Sequence, residues 1–159
     1  MRHGKSSWDD YTIGDHERKL LETGVKRSLR IAGFMKAKNI SPQLIISSTA
    51  HRALDTARIV ADVIAYDKDK IKCSENLYHA TVDDVFAELY ELDNEIESVM
   101  IFGHNPCFTD FVNVFVKPEI DNLPTSGLAA ISFKNDKWEE ITNSKYKFEF
   151  VLFPSMLRK

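Results

Sequence analysis

A chain of 159 residues with 43% hydrophobic and 28% charged residues has the balance of one globular domain, expected over residues 1–159, and is too short for two comfortable cores. The formal net charge of -3 and the lack of a basic stripe exclude a general electrostatic grip on nucleic acid. No apolar stretch approaches the roughly 20 residues that cross a bilayer, and no signal peptide is expected, so the reading is a cytoplasmic protein without a membrane partner.

In chain order, the first cluster met is Arg2-His3-Gly4, at the very start. Residues 23–38 place Val25, Leu29, Ala32 and Met35 at the spacing of one helical face. Leu44-Ile45-Ile46, bounded by Pro42 and Ser47-Ser48, predicts a buried strand. Helical period returns over 50–65 through Ala53, Ala57, Val60 and Ile64, and residues 71–74 form a short strand candidate. Thr81 with Asp84 three residues later is a capping box that starts a helix through Val82, Phe86, Leu89 and Leu92. Val99 to Phe102 predicts another buried strand, and Phe108 to Val116 a helix.

The tail changes character. Ala129 to Phe133 and Trp138 to Ile141 are expected as strands flanking the turn residues Asn135-Asp136, with Phe148 to Phe153 as a last strand. Alternating strands and helices followed by antiparallel edge strands predict a three-layer α/β/α fold with a mostly parallel central sheet. Cys73 and Cys107 lack the spacing of a redox or zinc pair and are expected as reduced structural thiols, as buried free cysteines usually are.

Ligands bind beyond the carboxyl ends of parallel strands. Ser47 to Arg52 follows one predicted strand and Gly103-His104-Asn105-Pro106 follows another, so the two segments are expected to meet, with Arg2-His3-Gly4 beside them. Each alone has a plainer reading: a solvated arginine in a helix's first turn, or a Gly-Asn-Pro turn. Together, two guanidiniums and two imidazoles make a pocket for a phosphoryl group, because arginine offers planar forks matched to phosphate oxygens. No HExxH, paired cysteine or carboxylate cluster suggests a metal, and neither metal nor other cofactor is expected.

These residues resemble the histidine phosphatase superfamily, also called the phosphoglycerate mutase-like family. The resemblance rests on RHG at 2–4, the arginine of SSTAHRALDTA at 47–57 and GHNP at 103–106, and extends to DNLPTSG at 121–127. RHGKSSWDD, LYHA at 77–80, GHNPCFTD and the short length look most like the SixA-type phosphohistidine phosphatases. It implies a phosphoglycerate mutase-like fold, with His3 as the nucleophile that forms a phosphohistidine intermediate. Arg2, Arg52 and His104 would hold the equatorial oxygens, where transition-state charge spreads, with Gly4 and Asn105 on the substrate side. His3 must then attack through a neutral nitrogen while its other nitrogen donates to a carbonyl or other acceptor, and His104 would work better protonated.

One departure bears on the substrate. Phosphomonoesterases of the superfamily usually supply a carboxylic acid in the loop after the strand at 71–74, where this chain has His79. An alkoxide leaves poorly without an acid, whereas an imidazole leaves easily. The expectation is therefore a phosphohistidine phosphatase acting on a phosphorylated protein, such as a histidine phosphotransfer domain or a phosphocarrier, with inorganic phosphate as product. A small-molecule phosphomonoesterase using His79 as acid, and a catalytically silent phosphate-binding module, are the alternatives. Glu75, Asp9 and Asp10 are secondary acid candidates, Lys5, Ser6 and Thr125 are expected at the pocket edge, and His16 and His51 at the surface.

Family members carry a strand just before RHG, yet only Met1 precedes Arg2 here. The expectation is a short upstream strand missing from the chain, with the segment at 148–153 as the rival occupant of its place.

Overall fold

The computed structural model describes residues 1–8 and 12–157, so Asp9 and Asp10 lie outside the described residues. Three parallel strands form the main sheet in the order β2-β1-β3: β1 is Leu44–Ser48, β2 is Lys72–Ser74 and β3 is Val99–Phe102. Ile46 sits opposite both Lys72 and Ile101, which fixes the register. Two further strands, β4 (Leu128–Phe133) and β5 (Tyr146–Leu152), pair antiparallel with an irregularity between Ala130 and Ile131.

Side chains alternate across a strand, so adjacent residues of β1 serve opposite faces. Ile45 joins a core with Met100 and Phe102 under α1 (Glu22–Ala37) and α2 (His51–Val63). Ile46 joins the other core, with Leu77, under α3 (Val82–Tyr90) and α4 (Cys107–Asn113). This yields the expected α/β/α layering around a parallel sheet. The capping box at the start of α3 is present: Thr81 Oγ1 accepts from Asp84 N, and Thr81 N donates back to the Asp84 carboxylate at 2.8 Å.

Met1 to His3 join the two sheets. Met1 N donates to Ile101 O at 2.7 Å, His3 N to Gly103 O at 3.0 Å and Arg2 N to Gly127 O at 3.0 Å. Arg2 forms a parallel bridge with Gly103, so the first residues run as a strand end between β3 and β4. A cavity of about 650 Å³, lined by Met1, Val99, Ile101, Leu128 and Ile131 among others, continues that line between the two strands. The segment at 148–153 does not occupy it; among the described residues β5 pairs with β4 alone.

Other expectations need correction. The buried face of α1 runs through Gly24, Ser28, Ile31, Ala32 and Met35, while Leu29 is exposed. Small residues are needed there: a Cβ on Gly24 would stand 2.3 Å from Lys5 O, so the helix lies against the backbone that follows His3. Trp138 to Ile141 are part of a 3-10 segment, Trp138–Asn143, not a strand. Trp138 is drawn off by the turn at 93–96, its backbone N donating to Asn94 Oδ1 and its indole to Ile96 O. The helix expected to Val116 ends at Asn113. Cys107 is buried and free, whereas Cys73 is free but exposed.

Candidate active site

His3, Arg52 and His104 converge at the carboxyl ends of the parallel strands, as the motif positions imply. His3 leaves the strand-like start of the chain, Arg52 stands in the first turn of α2 after β1, and His104 follows β3. The rings of His3 and His104 lie 5.1 Å apart, centroid to centroid, and both residues are buried.

His3 Nδ1 is 2.7 Å from Gly4 O. A carbonyl only accepts, so Nδ1 carries the proton and Nε2 keeps its lone pair. Burial pulls the His3 pKa down to about 4, and the charges of Arg52, Arg2 and Arg18 act in the same sense against the hydrogen bond to Gly4. The ring is neutral at neutral pH. Backbone bonds hold it in place, since Ser126 N donates to His3 O at 3.0 Å and Ser126 Oγ meets Ser28 Oγ of α1 at 2.9 Å.

His104 Nε2 contacts Ser48 Oγ at 2.7 Å, at the end of β1. Ser48 Oγ also accepts from Ala50 N, and its hydroxyl can in addition either donate to Nε2 or accept from Nε2–H. His104 Nδ1 is buried with no partner. Burial, then the neighbouring His3 and Arg52, pull the His104 pKa down to about 3, so the side chain expected to work as a cation is neutral among these neighbours.

Arg2 Nη1 donates to Leu123 O at 3.0 Å, while Arg2 Nε and Arg52 Nε are buried without partners. Arg2, Arg52 and His104 thus each hold a nitrogen with no partner among the described residues, an arrangement that costs stability unless an acceptor arrives.

Gly4 and Asn105 do not have the groups free for a substrate-side role. Gly4 N donates to Thr56 Oγ1 at 2.9 Å, and its carbonyl is taken by His3. A Cβ there would meet Gly24 O, Leu20 Cδ2 and Ser28 Oγ at 3.1 Å each, so glycine serves close packing. Asn105 Nδ2 donates to Asn122 Oδ1 and Leu123 O, and its Oδ1 accepts from Thr109 N and Thr109 Oγ1. It staples the loop after β3 to α4 and to residues 122–123.

His79 is exposed, with φ of 55°, and rests on the Tyr78 ring at 4.0 Å between centroids. Tyr78, rather than His79, packs against His104, at 5.6 Å. Glu75 and Lys5 are exposed, and Ser6 is buried under Arg18. Ser126, not Thr125, makes the contacts to His3 and α1. His51 is exposed as expected, but His16 is half-buried, with Nε2 2.9 Å from Thr49 Oγ1 and its ring 5.1 Å from Tyr78.

Asp15, Arg18, Ser48 and Tyr78 were not singled out by sequence. Asp15 accepts from Arg18 Nη1 at 2.8 Å, Arg52 Nη2 at 3.1 Å and Tyr78 Oη at 2.5 Å. Partial burial alone would raise its pKa, but the bond from Tyr78, then Arg18 and Arg52, hold it well below the usual carboxylate range. No group of His, Cys, Asp and Glu able to hold a metal ion occurs among the described residues.

Residues 1–78 match the family model of the histidine phosphatase superfamily, branch 1. Over those 78 of its 159 residues the chain is similar to that superfamily. Among solved structures, that of the protein histidine phosphatase SixA complexed with tungstate superposes with a TM-score of 0.83 at 24% identity, covering 99% of this chain and 97% of that one. The mycobacterial glucosyl-3-phosphoglycerate phosphatase shares the fold at a TM-score of 0.63 and 17% identity, covering 93% and 94%. An uncharacterized chloroplastic protein of Arabidopsis thaliana is 29% identical over 88% of this chain and 67% of its own. An uncharacterized protein of Mycobacterium tuberculosis is 28% identical over 82% and 85%. The superfamily fold therefore accommodates different phosphorylated substrates, and the site must decide among them.

Proposed function

We propose that this chain is a member of the histidine phosphatase superfamily and a phosphohistidine phosphatase that works through a covalent intermediate on His3. The observation that carries the reading is the pairing of a neutral, tautomer-fixed His3 with three unpartnered nitrogens, on Arg2, Arg52 and His104. Nε2 of His3 attacks phosphorus while the N–P bond of the substrate breaks and its electron pair returns to the leaving imidazole. Arg2, Arg52 and His104 donate to the three equatorial oxygens. A dianion placed beside His104 favours its protonated form, which supplies the charge that the neutral ring lacks. Water then cleaves the phosphohistidine on His3 and releases inorganic phosphate.

The substrate class follows from the supply of protons. Among the described residues the carboxylate bonded to the pocket's cations is Asp15, which Arg18, Arg52 and Tyr78 hold in its ionised form, so it has no proton to give. An ester's alkoxide needs that proton, whereas a phosphohistidine with its second ring nitrogen protonated leaves as neutral imidazole. The fold likeness to SixA supports the same reading. A phosphorylated protein, a phosphotransfer domain or phosphocarrier by chemistry, is the proposed partner.

Hydrolysis of a phosphohistidine-bearing protein, compared with an alkyl phosphate monoester, tests this. The phosphoramidate should turn over, the monoester barely, and His3→Ala should lose both. Efficient monoester turnover would favour the small-molecule phosphomonoesterase with His79 as acid, and phosphate binding without turnover the silent module.

A further inference from the structure

Arg52 is the cation through which α2 serves the pocket, and its guanidinium is held along one edge only. Nη1 donates to the main-chain oxygen of Asp15 at 2.7 Å and Nη2 to Asp15 Oδ2 at 3.1 Å. Nε, on the adjacent edge, is buried and has no partner. A guanidinium presents five N–H donors in a rigid fork, so fixing the Nη1–Nη2 edge also fixes the direction of the Nε–Nη2 edge.

Asp15 is itself anchored independently of Arg52. Arg18 donates to its Oδ1 and Tyr78 to its Oδ2. Arg18 is committed to structure: Nε donates to Ser7 O at 2.9 Å, Nη2 donates to Ser6 Oγ, and the Trp8 ring covers it at 3.2 Å. Ser6 and Ser7 lie in the loop that leaves His3. One carboxylate therefore ties that loop, the loop before α3 and the guanidinium of α2 together.

We infer that Asp15 is the positioning residue of Arg52, holding the outer edge of its guanidinium so that the Nε–Nη2 edge stays ready for a phosphoryl oxygen. The inference rests on reading the pocket as a phosphoryl site. Without Asp15 the long side chain would have to give up its rotamer freedom when substrate binds, and affinity would fall. The opposite role, a resident anion competing with phosphate for Arg52, predicts the opposite sign: removing the carboxylate would tighten binding.

Binding of inorganic phosphate, measured by calorimetry on the wild type, Asp15→Asn, Arg52→Ala and the double variant, decides between them. Asp15→Asn should weaken phosphate binding about tenfold, and the same change on the Arg52→Ala background should alter it less than about twofold. Tyr78→Phe removes one anchor of Asp15 and should weaken binding by about threefold, which keeps the test available if Asp15→Asn folds poorly. Unchanged or tighter binding in both Asp15→Asn and Tyr78→Phe overturns the inference, as does an equal loss on the Arg52→Ala background. A wild type that binds no phosphate overturns the reading of the pocket and this inference with it.

Discussion

His3 and His104 are packed ring to ring, 5.1 Å between centroids at an interplanar angle of 51°, each buried and each within the field of Arg52. Two imidazoles so placed cannot both carry charge cheaply, and their surroundings keep both neutral.

This arrangement makes stability depend on pH. The folded-state pKa values, about 4 for His3 and about 3 for His104, lie below the value near 6.5 of an unfolded chain. The unfolded state therefore binds more protons below pH 6.5, so stability is full above that pH and falls as pH drops toward 4. Each tenfold loss of proton affinity on folding is worth about 1.4 kcal/mol, so His3 alone accounts for roughly 3 to 4 kcal/mol once the pH is below 4. Urea midpoints measured from pH 7.5 to pH 5 should fall more steeply for the wild type than for His3→Ala.

Ser48→Ala removes the hydroxyl that faces His104 Nε2 and accepts from Ala50 N. The fold should persist, because the substitution leaves no oversized group in a buried site. Turnover should fall about tenfold, the scale of one lost buried hydrogen bond. Nitrogen chemical shifts of His104 should show its ring proton redistributed between Nδ1 and Nε2.

Asn105→Ala distinguishes a staple from a substrate ligand. Four hydrogen bonds to Thr109, Asn122 and Leu123 are lost, and a cost of roughly 2 to 4 kcal/mol is expected from the groups left unpaired. Thermal denaturation should show that loss without phosphate present. A variant as stable as the wild type but deficient in phosphate binding would restore Asn105 to the substrate side.

Gly24→Ala places a methyl group 2.3 Å from Lys5 O and 2.8 Å from Lys5 N, both backbone atoms that cannot rotate aside. Overpacking of this kind costs about 1 to 3 kcal/mol, and the part that must yield is the loop after His3. Melting temperature and turnover should fall together. By contrast, Gly33→Ala, exposed inside α1 with nothing within 4 Å of its Cβ, should leave turnover unchanged and raise the melting temperature slightly.

Local periodicity carried much of the fold. The pair Ile45-Ile46 with its flanking Pro42 and serines, the Thr81–Asp84 box and the Val99–Phe102 run each declare themselves within a few residues. Trp138 to Ile141 has the same apolar look, yet its backbone and indole are claimed by Asn94 and Ile96, more than forty positions away. Leu29 fits an apolar helical face, but Gly24 and Ser28 form the buried one, because what α1 meets there is backbone rather than side chain.

The site divides along the same line. His3, Arg52 and His104 were legible only together, since their residue types at strand ends and their motif neighbours single them out as site candidates. Asp15 was not: nothing local separates it from the other acidic residues between Trp8 and Arg18. Its bonds reach Arg52, 37 positions on, and Tyr78, 63 positions on. Short-range pattern is written into a chain because backbone periodicity acts between neighbours. Which carboxylate meets which guanidinium was decided only when the strands brought distant loops together.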